Sequence, residues 1–198
     1  MEISAIRIEA LKEIGNIGAG HAATSLSKML QTRIEMTVPK VWLVPLPRLP
    51  EALGQLEATK VALYLKVEGE APGKAMFVLS VKSAQLITKT LLWKSELPDI
   101  INDQMAQSAL REVGNILVSS FVIALSEFSR IRLQPSIPAL GIDMIGAMID
   151  AVLLDEGKLD DNILIIDTKL SGLEEMEGMF LYIPGEGSID KLLGVFGI

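Results

Sequence analysis

The chain contains no cysteine. That excludes disulfides, zinc thiolates and a thiol nucleophile, and it fits a cytoplasmic protein. It has one histidine, His21, with no second metal-ligand candidate at useful spacing and no Ser or Cys nucleophile signature beside it, so His21 reads as a packing residue rather than a catalytic one. Positive charge is also short. Lys and Arg number 18 against 25 Asp and Glu, and a formal charge of -7 cannot supply the basic face that a phosphate backbone requires. Proteins are therefore the expected partners. Although 49% of the residues are hydrophobic, Asn, Asp, Glu or Gly cuts each apolar stretch before the roughly 18 to 20 residues that span a bilayer, so no membrane insertion is expected. The segment Met1-Glu-Ile-Ser-Ala-Ile-Arg7 has neither the basic flank nor the small-residue cleavage site of a secretory signal.

What the chain does have is a copy of itself. Glu9-Ala-Leu-Lys-Glu13-Ile-Gly-Asn16-Ile17 and Ser108-Ala-Leu-Arg-Glu112-Val-Gly-Asn115-Ile116 lie 99 residues apart, and the match continues through Leu26 with Leu125, Ser27 with Ser126 and Pro39 with Pro138. So long a repeat implies two copies of one structural unit. With 198 residues there is material for one body, residues 1–198, made of two repeats of about 1–98 and 99–198.

The first repeat predicts a helix from a Ser4 cap to about Leu30, because Leu11, Ile14, Gly18, Ala22 and Met29 recur at helical spacing. Glu9, Glu13, Asn16, Gly20, Thr24 and Ser27 fall on the opposite face, which is either solvated or meets a partner. Gly15, Gly18 and Gly20 should each cost ~1 kcal/mol relative to alanine, so they ask for a close neighbour. Gly18-Ala-Gly20-His-Ala-Ala23 spells a dinucleotide fingerprint, but the residues before it are helical in period and the second copy lacks the glycines. Extended segments are expected over 33–38 and 41–46, with Pro39 and Pro45 as punctuation, then a short helix over 48–56. Residues 60–67 and 74–81 read as a hairpin, and Ser83 as the cap of a helix to about Trp93.

In the second repeat, Asn102 or Asp103 can start a helix to about Arg130. Its apolar stripe is Leu110, Val113, Leu117, Phe121, Ala124 and Phe128, and its polar stripe is Ser108, Glu112, Asn115, Ser119 and Ser126. Residues 142–154 look helical, with Asp143 either capping that helix or docking a partner. A second hairpin is expected over 162–170 and 178–184, then a closing helix from Ser188 to Phe196. Matching Ala75-Met-Phe77 to Gly178-Met-Phe180 moves the offset to 103, a length difference expected in a loop. The fold class is α/β (α+β), internally duplicated and pseudo-twofold, with a central antiparallel-rich sheet assembled from both halves and two long motif-bearing helices on one side of it.

Glu13 with Asn16, and Glu112 with Asn115, stand at i and i+3 on one turn. A carboxamide neither takes up nor releases a proton near neutral pH, so the pair is a poor acid-base couple. It is a reasonable positioning couple. The amide can donate and accept at once, which suits orienting a water, while the carboxylate can pair with a lysine on a partner. Structural readings stay open, with the Asn residues as caps of internal bends and the Glu residues as surface charge.

The pattern Asp/Ser-x3-Glu-x2-Asn-x22-Pro, present twice as Glu9, Glu13, Asn16 and Pro39 and as Ser108, Glu112, Asn115 and Pro138, resembles the signature of the CheC chemotaxis phosphatases, relatives of CheX and FliY. Only Glu9, where Asp or Ser is usual, departs from it. The resemblance covers essentially the whole chain. It implies a hydrolase acting on the aspartyl phosphate of the response regulator CheY, with Glu13, Asn16, Glu112 and Asn115 as catalytic residues and Glu9, Pro39, Ser108 and Pro138 supporting them. It implies no metal or cofactor of the chain's own, since the Mg2+ of the reaction belongs to CheY. Two motifs in one chain look like CheC and a monomer, instead of CheX, which has one and dimerises. The family also binds CheD, the receptor deamidase, and Ile142, Asp143 and Met144 look like the docking element. The competing expectation is a non-catalytic binding module for CheD or CheY-phosphate.

Overall fold

A computed structural model describes residues 5–154, 158–172, 174 and 176–194. Helix α1, Ala5–Leu30, and helix α4, Gln104–Ser129, are the two motif helices, and adding 99 to the limits of the first yields those of the second. Between them run β1 (Glu35–Pro45), a 3-10 turn (Leu46–Arg48), α2 (Leu49–Leu53), β2 (Thr59–Gly69), β3 (Gly73–Ser80) and α3 (Val81–Leu91). After α4 come β4 (Leu133–Pro135), β5 (Ala139–Met144), α5 (Ile145–Leu154), β6 (Asn162–Ser171), β7 (Met176–Pro184) and α6 (Ser188–Gly194). The seven strands form one antiparallel sheet in the order β1-β6-β7-β3-β2, with β4 and β5 both pairing with β2 at the far edge.

That order is a palindrome under the repeat, for β4 with β5 corresponds to β1, β6 to β2 and β7 to β3. Phe77 and Phe180, matched by the repeat, face each other across the β3–β7 pair. A residue paired with its own counterpart marks the pseudo-twofold axis. The edge strands are exchanged: β1 lies on β6 of the second repeat, and β4 and β5 lie on β2 of the first. The sheet expected from both halves is found, and the halves are interlocked.

Both edges carry one irregularity at a proline. The β1–β6 register shifts between Thr37 and Lys40, around Pro39, and Pro138 occupies the gap between β4 and β5, across which the pairing with β2 slips by one residue. Proline has no N–H to give to a ladder, so a bulge is where it fits. The two segments expected on either side of Pro39 are thus one bulged strand. Gly69 and Gly172 are a further symmetric pair, with φ of 117° and 123°. A Cβ on them would lie 2.1 Å from the Arg132 carbonyl oxygen and 2.0 Å from that of Arg33. Only glycine lets each hairpin pass that close to the start of the opposite edge strand.

Helices α1, α3, α4 and α6 cover one face of the sheet, over a core that includes Leu63, Phe77, Ile166 and Phe180, while α2 and α5 cover the other over Met76, Ile165 and Leu181. Phe121 of α4 sits near the axis, its ring stacked on Phe180 at 4.8 Å between centroids and tilted toward Phe77 at 6.0 Å. Tyr182 is buried with its hydroxyl donating to the Ala71 carbonyl at 2.6 Å, and burial pushes that phenol far above its ordinary pKa. Of the three α1 glycines, two have the expected neighbour. A Cβ on Gly18 would stand 3.0 Å from the Phe121 backbone, and one on Gly15 would press Ile166 and Val38, whereas Gly20 faces open space. Helix α4 is long and apolar enough to cross a membrane by composition alone, but 61% of its most apolar stretch is buried inside the protein.

Several local expectations are corrected. Ser80, not Ser83, caps α3, its hydroxyl accepting from the Ser83 N–H at 3.0 Å, because the strand ends at the serine whose extended backbone can precede a helix. The helix expected from 142 begins at Ile145, since residues 142–144 complete the ladder with β2. His21 is exposed rather than packed. The four-residue length difference lies between β5 and β6, where the ten-residue α5 replaces the five-residue α2. Ser4 and Phe196 lie outside the described residues.

Two substitutions separate packing from propensity. Gly20→Ala should raise stability by up to ~1 kcal/mol through helix propensity, while Gly18→Ala should lower it because the Phe121 backbone cannot yield. Phe121→Ala should cost about 3 to 5 kcal/mol. Chemical denaturation of the three variants measures all of these.

Candidate active site on two helix faces

Leu11, Ile14, Gly18 and Ala22 are buried along α1, and Leu110, Val113, Leu117 and Phe121 along α4. Gly15 and Gly114, beside the motif asparagines, turn toward the sheet. A helix bound so closely on one side must turn the opposite side outward, and Glu9, Glu13, Asn16, Ser108, Glu112 and Asn115 are all exposed. Among the described residues, none offers Glu13, Asn16 or Glu112 a side-chain hydrogen bond or ion pair. The Glu and Asn of each motif are thus neither caps nor halves of internal ion pairs.

The two faces differ at one position. Ser119 donates from Oγ to Oδ1 of Asn115 at 3.3 Å, a tether that narrows the motion of that carboxamide. The corresponding residue on α1 is Gly20, so Asn16 has no such neighbour. Ser27 and Ser126, assigned by spacing to the polar stripes, prove to be staples. Ser27 Oγ accepts from the Ile34 N–H at 2.9 Å and Ser126 Oγ from the Leu133 N–H at 3.2 Å, each tying a helix end to the strand after it. The i+11 relation to Asn could not distinguish a staple from a surface hydroxyl.

Pro39 and Pro138 lie in the strand bulges and not on the helix faces that carry the Glu/Asn pairs. Pro39 lines a cleft of about 590 Å³ with Leu53, Lys60, Lys82, Asp167 and Glu177, bounded by the start of α3 and by Ile145 at the start of α5. Burial raises the Asp167 carboxyl above the usual range against the pull of Lys40, with Glu177 adding a smaller push the same way. The cleft is not the motif site. Asp143 lies on the edge strand β5 opposite Lys60, exposed, with its carboxylate accepting from the Met144 N–H at 2.7 Å. It does not cap α5, because the Ile145 and Gly146 N–H groups are taken by the carbonyls of Ala58 and Leu56. Ile142 is half-buried against the core, and Met144 is exposed.

Comparison with known proteins places this architecture. The CheC-like family matches residues 8–43 and 105–142, the two motif helices with the strands after them. The CheY-P phosphatase CheC of Bacillus subtilis (strain 168) is 30% identical over 196 residues, 96% of this chain and 94% of that protein. The chain belongs to the CheC-like family. Among solved structures, Thermotoga maritima FliY superposes with a TM-score of 0.79 at 22% identity over 100% of this chain and 98% of that one. The CheX of a CheX–CheY–BeF3–Mg2+ complex from Borrelia burgdorferi superposes at 0.52 with 18% identity, over 85% and 96%. The shared fold is the mixed α/β one, with the antiparallel sheet behind paired helices.

The helix that carries Glu112 and Asn115 is secured at its start by Asp103, whose carboxylate accepts from the Met105 and Ala106 N–H groups and from the Lys94 ammonium. The Lys94 hydrogen bond, and then the Ala106 N–H, hold the Asp103 carboxyl below its usual range. The charged form is therefore favoured by folding. Its contribution is complete above the ordinary carboxylate pKa and lost as pH falls through the lowered value. Asp103→Ala should melt below the wild type at pH 7, with the gap closing as the medium is acidified through the carboxylate range; melting curves against pH test it.

Proposed function

We propose that the chain is a phosphatase that hydrolyses the aspartyl phosphate of CheY, one phosphorylated regulator at each motif helix. The observation that carries this reading is that both Glu/Asn pairs stand on open helix surface, where the Ser119 hydroxyl on Asn115 is the one side-chain partner among the described residues. Such a face completes no reaction alone, so the reacting centre must arrive on a macromolecule. The relationship to a CheY-P phosphatase supplies its identity, and the CheX–CheY complex of the same fold offers a precedent for docking.

In this mechanism Asn16 or Asn115 enters the CheY active site and hydrogen-bonds the attacking water in line with the phosphoryl group. Water attacks phosphorus, the bond to the aspartate oxygen breaks, and inorganic phosphate and a free carboxylate result. Mg2+ held by CheY neutralises the transferring oxygens. Glu13 or Glu112 pairs with a lysine of CheY and sets the register. The contribution is positioning: the carboxamide restricts the water as the water-orienting glutamine does in GTPases. No ionisation of this chain is called upon. Ser119, by tethering Asn115, reduces the freedom that must be lost at the α4 face. Exposure of Asp143 and Met144 on an edge strand favours a second role beside the first, docking of CheD at β5, where a strand edge and a carboxylate are both available.

Single Asn16→Ala or Asn115→Ala variants should retain partial turnover, and the double variant should lose nearly all of it without a change in melting temperature. A folded double variant that clears CheY-phosphate at the wild-type rate would eliminate the mechanism. Glu13→Gln with Glu112→Gln should instead raise KM and make binding less sensitive to salt. Asp143→Ala should weaken capture of CheD at unchanged melting temperature; full affinity in that variant removes Asp143 from the docking surface.

A further inference from the structure

Large apolar side chains stand exposed at Ile6, Trp93, Leu97, Ile101, Met105, Ile123, Ile137, Met144 and Leu154 among the described residues. The 99-residue offset relates two of them to each other, Ile6 and Met105, exposed to 65% and 64%. They are not scattered surface hydrophobics. Ile6 precedes Glu13, and Met105 precedes Glu112, by seven residues, two helical turns, so each stands on the motif face of its own helix. The polar stripe otherwise runs through Glu9 and Glu13 or Ser108 and Glu112, and most of each apolar side chain faces solvent. An apolar residue held twice at one exposed place by a face that is elsewhere polar has its partner outside the molecule.

From this we infer that Ile6 and Met105 are apolar anchors that seat the aspartyl-phosphate regulator on each motif helix, an inference that rests on the phosphatase reading above. The occupant is the same activated CheY, because the anchor continues the surface that carries the carboxylate and the carboxamide. With a rise of about 1.5 Å per residue, the anchor meets CheY roughly 15 Å from the point where the asparagine meets the attacking water. The regulator is thereby gripped at three places along one line: an apolar contact at the helix start, a charge pair at the glutamate and a hydrogen bond at the water. The first two supply affinity and register, the third supplies rate. The faces are unequal beyond this. Ile123, four residues past Ser119, extends the α4 face with a second apolar side chain where α1 has Thr24, so the α4 face should hold CheY more tightly.

The test compares Ile6→Ser, Met105→Ser and the double variant with an Ile137→Ser, Leu154→Ser control pair, whose residues lie off both faces. Binding is titrated with CheY activated by beryllofluoride and Mg2+, and turnover is followed with CheY charged by a small-molecule phosphodonor. The double variant should raise both Kd and KM roughly tenfold or more while kcat changes less than twofold, and Ile6→Met with Met105→Leu should restore affinity. The controls should bind as the wild type does. Unaltered Kd in the double variant, or an equal rise in the control pair, overturns the anchors and leaves the phosphatase reading standing. A wild-type protein that neither binds activated CheY nor turns over its phosphate overturns both.

Discussion

The exchange of edge strands is the constraint on which the rest of the molecule depends. Strand β1 has its ladder with β6, and β4 and β5 have theirs with β2, so each repeat completes the sheet of the other. Neither repeat can satisfy its backbone hydrogen bonds alone, and the apolar faces of α1 and α4 have a common floor only when both are present. The twofold relation follows from that exchange. It brings Phe77 opposite Phe180 and leaves room at the axis for Phe121, the ring that joins the helix layer to the sheet.

From that floor the motif faces inherit their orientation. Gly15 and Gly114 let the helices seat deeply, Gly18 lets α1 approach α4, and Ser27 and Ser126 tie the helix ends to the edge strands. The polar stripe is then outward by geometry. Glu13, Asn16 and Glu112 have no side-chain partner among the described residues, and a side chain without a structural partner is free to be matched to a ligand. Catalysis by positioning asks for little more: a rigid helix, a carboxamide at the right depth and a carboxylate to hold the register.

Much of this was legible in residue order because a duplicated chain can be read against itself. Helix α4 was bounded closely by Asp103 and Arg130, both hairpins fell near their observed places, and the Glu-x-x-Asn pairs stood out by recurring in register. What spacing misjudged was the fate of short segments with mixed signals. Residues 142–144 continue the helical pattern of α5, yet β2 offers them a ladder and the ladder prevails. Ser83 and Ser80 are equally good caps in sequence, and the choice falls to the serine at which the strand ends. His21 sits on α1 outside the buried stripe of Leu11, Ile14, Gly18 and Ala22, and is therefore exposed.

Residue order alone was enough to mark the candidate site, two Glu/Asn pairs on two helices, since helical period and an in-register repeat are properties of order along the chain. Which strand pairs with which, the bulges that absorb Pro39 and Pro138, the depth at which glycine lets helix meet sheet and the partial restraint of Asn115 by Ser119 were decided only by the tertiary structure. The reason is that local pattern assigns a residue to a face, whereas the identity of what lies against that face depends on contacts between segments about a hundred residues apart, and two nearly identical halves contain no local signal to say whether each closes on itself or on the other.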